Sequence, residues 1–215
     1  MIESLTESPT EAVIEPEQTT RGGRDGFGLI LASASPRRRE LLAILVAEFD
    51  VRPADIDERP VAGEAPAEHV MRLAVGKTRA VAESLPGHWV IGSDTEVVLD
   101  GVCLGKPPDE RRAGEMLRSL SGRGHAVYSS VALVGPDWQT KTALCVSEVH
   151  FDAIPESWIR RYASSGEPLD KAGGYAIQGQ AAAWISRLDG SYSGVVGLPL
   201  FETAGLLRAA GLLHG

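Results

Sequence analysis

From about residue 27 onward, apolar and polar positions alternate between a strand-like and a helix-like period, and the switches between the two mark out the elements. The run Leu29-Ile30-Leu31 predicts a buried strand over Leu29–Ser33. It breaks at Ser35-Pro36, a capping side chain followed by a residue preorganised for a first helical turn. Leu41, Leu42 and Leu45 then share one face, so a helix runs from Pro36 to about Val46. A short strand follows over Glu48–Arg52. A turn-rich stretch through Gly63 leads to a second helix from Pro66, with Val70, Leu73, Ala74, Ala80 and Val81 as its apolar stripe. After Pro86-Gly87 the pattern returns to a strand at Trp89-Val90-Ile91. The turn formers Gly92-Ser93-Asp94-Thr95 place a strand end there, before a further strand at Val97-Val98-Leu99 and a turn at Asp100-Gly101.

A third helix is predicted from about Pro108 to Leu120, then strands over Ala126–Val134 and Thr140–Phe151. Gly135-Pro136-Asp137-Trp138 joins those two strands as an antiparallel hairpin. A helix from Pro155 to about Ser164, a glycine-rich loop around Gly173-Gly174, a strand over Trp184–Leu188 and a helix from Pro199 to Ala210, ended by Gly211, complete the chain. Gly190-Ser191-Tyr192-Ser193-Gly194 and the residues after it open that last helix. The order is that of an α/β fold, and the hairpin makes its sheet mixed.

Composition narrows this picture. With 215 residues, 43% hydrophobic and 23% charged, the chain can bury the core of one globular domain. Residues 1–26 are poor in aromatics and rich in Glu, Ser, Thr and Pro, so they are expected to be a disordered tail ahead of a domain over 27–215. A net charge of −8 argues against a nucleic-acid polymer as partner. No apolar run is long enough to span a bilayer, and the N-terminus is acidic, unlike a signal peptide, so no membrane partner and a cytosolic location are expected. Cys103 and Cys145 form no CxxC pair and read as buried reduced thiols, and the histidines lack zinc spacing and read as structural. No Walker A or dinucleotide-binding motif is present.

Candidate chemistry appears at a few places. Arg37-Arg38-Arg39 load the first turn of a helix with positive charge, where each cation costs roughly 0.3–1 kcal/mol against the macrodipole. Either they point into solvent, or a small polyanion lies against the helix start, where free N–H groups, a serine hydroxyl and guanidinium forks suit phosphate oxygens. Asp94 is an ordinary turn residue, or a carboxylate that polarises water or holds a divalent cation, with the Thr95 hydroxyl orienting a ligand. Lys77 falls near the centre of an apolar stripe, where it either snorkels to the helix edge or meets an anion. Lys106 is fixed between Gly105 and Pro107. The loop Asp170–Gly179 is a surface loop or a ligand-approaching one, in which Gln178 offers both a donor and an acceptor.

Together, Ser33-Ala34-Ser35-Pro36-Arg37-Arg38, Gly92-Ser93-Asp94-Thr95, Gly105-Lys106-Pro107, Leu120-Ser121-Gly122, Asp170 to Gly179 and Val196-Gly197-Leu198-Pro199 resemble, in kind and in order, the Maf family of nucleoside triphosphate pyrophosphatases. The resemblance covers about Leu29 to Leu212. It implies a two-lobed mixed β-sheet with flanking helices, similar to inosine triphosphatase, and hydrolysis of a nucleoside triphosphate between its α- and β-phosphates with Mg²⁺ or Mn²⁺. Carried over position by position, Asp94 is the proton acceptor and Lys77 and Lys106 share its cleft. Ser33, Arg37 and Arg38 cradle phosphate, and Glu58 and Asp94 are the metal ligands. Arg37, Thr95 and Gln178 match the subgroup acting on dTTP and UTP, rather than the 7-methyl-GTP subgroup. A homodimer is also implied. The alternatives are a 7-methyl-GTP pyrophosphatase and a non-catalytic nucleotide-binding regulator of cell division.

Overall fold

The computed structural model describes residues 28–213; the expected tail over 1–26 lies outside them. The sheet is mixed, as the hairpin required. Strand β1 (Leu29–Leu31) lies between β2 (Asp50–Val51) and the first three residues of β3 (Trp89–Leu99), parallel to both. On the other side of β3, strands β5 (Gly124–Val134), β6 (Thr140–Phe151) and β7 (Ile185–Asp189) follow in antiparallel order. Strand β4 (Val102–Cys103) folds back on the far end of β3 through Asp100-Gly101, both at positive φ.

The helices begin where the punctuation put them. Helix α1 (Pro36–Leu45) is capped by the Ser35 hydroxyl, α2 spans Pro66–Ser84, α3 (Glu110–Leu120) is capped by Asp109, and α4 spans Glu156–Ala163. Two expectations are corrected. The strands read separately at Trp89–Ile91 and Val97–Leu99 are one strand, so Asp94 sits in mid-strand rather than at a strand end. Pairing with β5 from Val90↔Val134 to Val98↔Ala126 overrides the turn preference of Gly92-Ser93-Asp94-Thr95. The glycine- and serine-rich segment at 190–194 does not open the last helix either. It leads into a separate short helix, α5 (Tyr192–Val196), which ends at Gly197, and α6 (Leu200–Ala209) starts after Pro199.

The two ends of β3 belong to different cores. Ile91 packs with Leu29, Leu31, Leu42, Leu133 and Leu207. Val97 and Leu99 pack with Leu117, Val127, Phe151 and Tyr162. Each fully buried aliphatic side chain contributes about 1.5–3 kcal/mol, so each cluster holds its own end of the sheet. Between the two lie the polar positions Ser93 to Glu96. This is the two-lobed arrangement, and it places the polar stretch at the junction.

Helix α2 comes unusually close to β3 there. A Cβ on Gly92 would sit 2.4 Å from the Thr78 hydroxyl and 3.3 Å from the Ala74 carbonyl, so only glycine lets this helix turn reach the strand. The close approach carries Lys77, one residue before Thr78, down to the level of Asp94. Both cysteines are free, Cys145 buried and Cys103 half-buried. No helix among the described residues is long and apolar enough to cross a membrane.

Candidate functional site

Strand β1 stops at Leu31 and its chain turns away from β3 into α1, whereas β4 joins the same edge only from Val98. The last links at the two ends are Ala32 N–H to the Ile91 carbonyl (2.7 Å) and Leu104 N–H to the Val97 carbonyl (2.9 Å). Between them, among the described residues, no strand pairs this edge. The window lies just beyond the C-terminal end of β1, where open α/β sheets bind ligands. Side chains alternate across it: Asp94 and Glu96 point toward α2, and Ser93, Thr95 and Val97 toward α5.

On the α2 side, the Lys77 ammonium donates to Asp94 Oδ1 at 2.7 Å and lies 2.9 Å from Glu58 Oε1. Lys77 is 8% exposed and Asp94 5%, so the lysine meets carboxylates in the interior instead of snorkelling out. Asp94 Oδ2 is buried and has no hydrogen-bond partner. An unpartnered oxygen of that kind is costly unless something else comes to it. Desolvation pushes the Glu58 carboxyl up, but the hydrogen bond and charge of Lys77, with Lys106 and Arg38 behind them, leave it below its ordinary value. Glu96 goes the other way: burial, and then the charge of Asp94, push it up to about 7.

The arginines divide. Arg38 donates from Nε to the Gly197 carbonyl at 2.9 Å, which leaves its terminal nitrogens free for a ligand. Burial pulls its guanidinium below the ordinary value, and the carboxylates of Asp94 and Glu58 oppose that shift. Arg37 lies 3.4 Å from Asp170, and Arg39 is exposed on the helix surface. Ser33 is buried, and its hydroxyl accepts from the Ser35 N–H at 3.2 Å, a bond that shapes the turn into α1. Arg37, Arg38, Thr95, Lys106 and Gln178 line one cleft. Lys106 forms no ion pair among the described residues, and Gln178 is exposed at the rim. The structure thus gathers Glu58, Lys77 and Asp94 into a carboxylate–ammonium cluster and Arg37, Arg38, Thr95, Lys106 and Gln178 into a cationic cleft, with Ser33 placed at the turn into α1 and in neither.

Two groups were not singled out from the sequence. One is the Gly197 carbonyl, which accepts from Arg38, from Ser93 Oγ at 2.9 Å and from Thr95 Oγ1 at 3.3 Å, joining α1, β3 and α5. A backbone acceptor leaves no sequence signal. The other is Glu96, which shares a strand face with Asp94; a continuous β3 was the signal that could have found it.

The expected glycine-rich loop, Asp170 to Gly179, contains one short 3₁₀ turn at Ala172–Gly174 and is flanked by two more, at Glu167–Asp170 and Gln180–Trp184. Its inner anchor is Tyr175, whose hydroxyl lies 2.7 Å from His125 Nε2, with both residues buried. Burial, and then the charge of His150, pull His125 down to about 4 from 6.5. The unfolded chain therefore binds more protons between those values, so this contribution to stability, about 3 kcal/mol, is lost as pH falls from about 6.5 to about 4. Glu96 slopes oppositely, losing stability as pH rises from 4.5 to about 7, so the His125 contribution is read by difference. We expect His125→Phe to lose less stability than the wild-type protein between pH 7 and pH 4.5 in urea unfolding. Equal slopes would contradict a neutral buried imidazole.

Among the described residues, no three His, Cys, Asp or Glu side chains converge as a metal centre. Two carboxylates, one with a free buried oxygen, suit instead a hard cation that takes one or two protein oxygens and completes its shell from phosphates and water.

The family described as Maf-like protein matches residues 28–210. The dTTP/UTP pyrophosphatase of Myxococcus xanthus is 53% identical over 184 residues, covering 86% of this chain and 93% of its own. Its counterpart in Geobacter sulfurreducens is 48% identical over 188 residues, covering 86% and 97%. Among solved structures, the Staphylococcus aureus Ham1 protein aligns at a TM-score of 0.44 and 17% identity, over 58% of this chain and 71% of that one.

Proposed function

The chain belongs to the Maf family, and from that premise we propose that it hydrolyses dTTP and UTP to the monophosphate and pyrophosphate. The observation that carries the reading is Asp94, a buried carboxylate with one oxygen held by Lys77 and the other unpartnered, beside a cleft that offers Arg37, Arg38 and Lys106 to phosphates. Asp94 Oδ2 accepts a proton from the attacking water. Lys77 holds the Asp94 carboxylate in one orientation and bridges it to Glu58. Arg38, Arg37 and Lys106 neutralise the triphosphate and the pyrophosphate that leaves, and the positive end of α1 adds to them. Glu58 and Asp94 would hold a Mg²⁺ or Mn²⁺ ion, which when bound supplies further positive charge to the phosphate oxygens. The same reading places the enzyme in the cytosol, where nucleoside triphosphates are made and used.

Base choice falls to the Gln178 side of the cleft. Its amide can donate to a pyrimidine carbonyl and accept from the ring N–H, whereas a carboxylate can only accept. Gln178→Glu is expected to lower kcat/KM for UTP by about 10- to 100-fold with the melting temperature unchanged, since the residue is exposed. Equal use of UTP after the change would remove Gln178 from base reading.

The whole reading is tested by product analysis of the purified protein with Mg²⁺ and a panel of dTTP, UTP, CTP, dATP, GTP and 7-methyl-GTP, separating pyrophosphate from orthophosphate. Pyrophosphate from dTTP and UTP is expected. Turnover of 7-methyl-GTP alone would move the enzyme to the other subgroup, and binding without turnover would support a non-catalytic regulator.

A further inference from the structure

The phosphate end and the base end of the cleft meet at the exposed Arg37–Asp170 ion pair and, through the backbone, at Gly105. Its N–H donates to Glu96 Oε2 at 3.2 Å, and its carbonyl accepts the N–H of Gly173 at 2.8 Å. On one side of this link the chain runs into Lys106 and the buried Pro107, so the direction of the Gly105 peptide sets where the Lys106 ammonium emerges into the cleft. On the other side, Gly173 starts the approach to Tyr175 and Gln178. A Cβ on Gly173 would lie 2.8 Å from the Val97 side chain, so this turn packs closely against the floor of the cleft. Glu96 is the one side chain that reaches this junction by hydrogen bond from β3, the strand that also carries Asp94 and Thr95.

We propose that Glu96 is a positioning residue which, by accepting the Gly105 N–H, sets Lys106 and the Gln178 loop as one unit relative to Asp94 and Thr95. Glu96 touches neither phosphate nor base. It fixes the peptide from which both recognition elements are hung, so that a nucleotide meets its phosphate partner and its base partner already in register. This rests on the pyrophosphatase reading for what the cleft binds, but the coupling itself is a property of the folded chain.

The test compares Glu96→Met, which keeps the volume and removes the acceptor, with Glu96→Gln, which keeps an acceptor oxygen. A hydrogen bond to an acidic side chain is worth on the order of tenfold in an equilibrium. Glu96→Met is therefore expected to raise KM for UTP by about tenfold and to reduce the preference for UTP over CTP by a similar factor, with kcat changed by no more than about threefold. Glu96→Gln is expected to bring both quantities back to within about twofold of wild type. Hydrogen exchange without nucleotide supplies a readout independent of activity: the amides of Gly105 and Gly173 should exchange faster together in Glu96→Met and not in Glu96→Gln. Unchanged KM and base preference in Glu96→Met, equal damage in both variants, or unchanged exchange at Gly173 would each overturn the proposal. If the wild-type protein releases no pyrophosphate, the pyrophosphatase reading fails, and the exchange data still decide the coupling.

Discussion

Replacing Asp94 with Asn is expected to lower kcat for UTP by about 10³-fold without unfolding the protein, the scale of losing a positioned general base. The amide keeps the shape of the side chain and an oxygen able to accept from Lys77, which also retains Glu58 at 2.9 Å. What disappears is the basicity of the unpartnered Oδ2. Pyrophosphate release measures the loss, and circular dichroism with thermal unfolding checks the fold. A folded variant within tenfold of wild-type turnover would remove Asp94 from the chemistry. A Mn²⁺ titration followed by electron paramagnetic resonance separates its two roles, since unchanged affinity with lost turnover leaves only proton acceptance.

The second large effect is on stability. Lys77→Met leaves Asp94, 5% exposed, with neither oxygen paired, and also strips Glu58 of its cation. Removing one member of a buried ion pair typically costs about 3–5 kcal/mol, because the remaining charge is left buried without a compensating partner. We expect urea unfolding to show a loss of that size, together with loss of turnover. The double variant Lys77→Met/Asp94→Asn should be more stable than Lys77→Met alone, because the second change removes the stranded charge. Additive losses in that cycle would mean that the 2.7 Å contact carries no coupling.

Local signals carried the reading of the chain a long way. Ser35-Pro36, Pro66 and the Gly135–Trp138 turn each act within a few residues, and α1, α2 and the β5–β6 hairpin stand where those signals put them. Lys77 was visible because a helix has a fixed period. Its partners come from the family resemblance alone and not from periodicity, because Glu58 lies in a stretch without a repeat and the turn formers around Asp94 hide the strand that carries it. The continuity of β3 depends on a partner strand some 35 positions later in the chain, and no preference within Gly92-Ser93-Asp94-Thr95 reports it. The same holds for the loop bearing Gln178. Its path is set by Tyr175 meeting His125 and by Gly173 meeting Gly105, contacts between segments remote in sequence.

The interruption along the edge of β3 bears on how the protein behaves among its own copies. A bare strand edge invites another chain to add a strand, which is how many sheet proteins aggregate. Here the bare length, from Gly92 to Glu96, is about 17 Å at the usual rise per residue, barely one short strand. The turn into α1 closes it at one end and β4 at the other. An incoming strand would have to displace one of these walls before making a useful number of hydrogen bonds, whereas a small molecule need displace neither. The interruption is also enclosed, with Ser93 0% and Asp94 5% exposed, so this edge offers another polypeptide neither the length nor the access to extend the sheet.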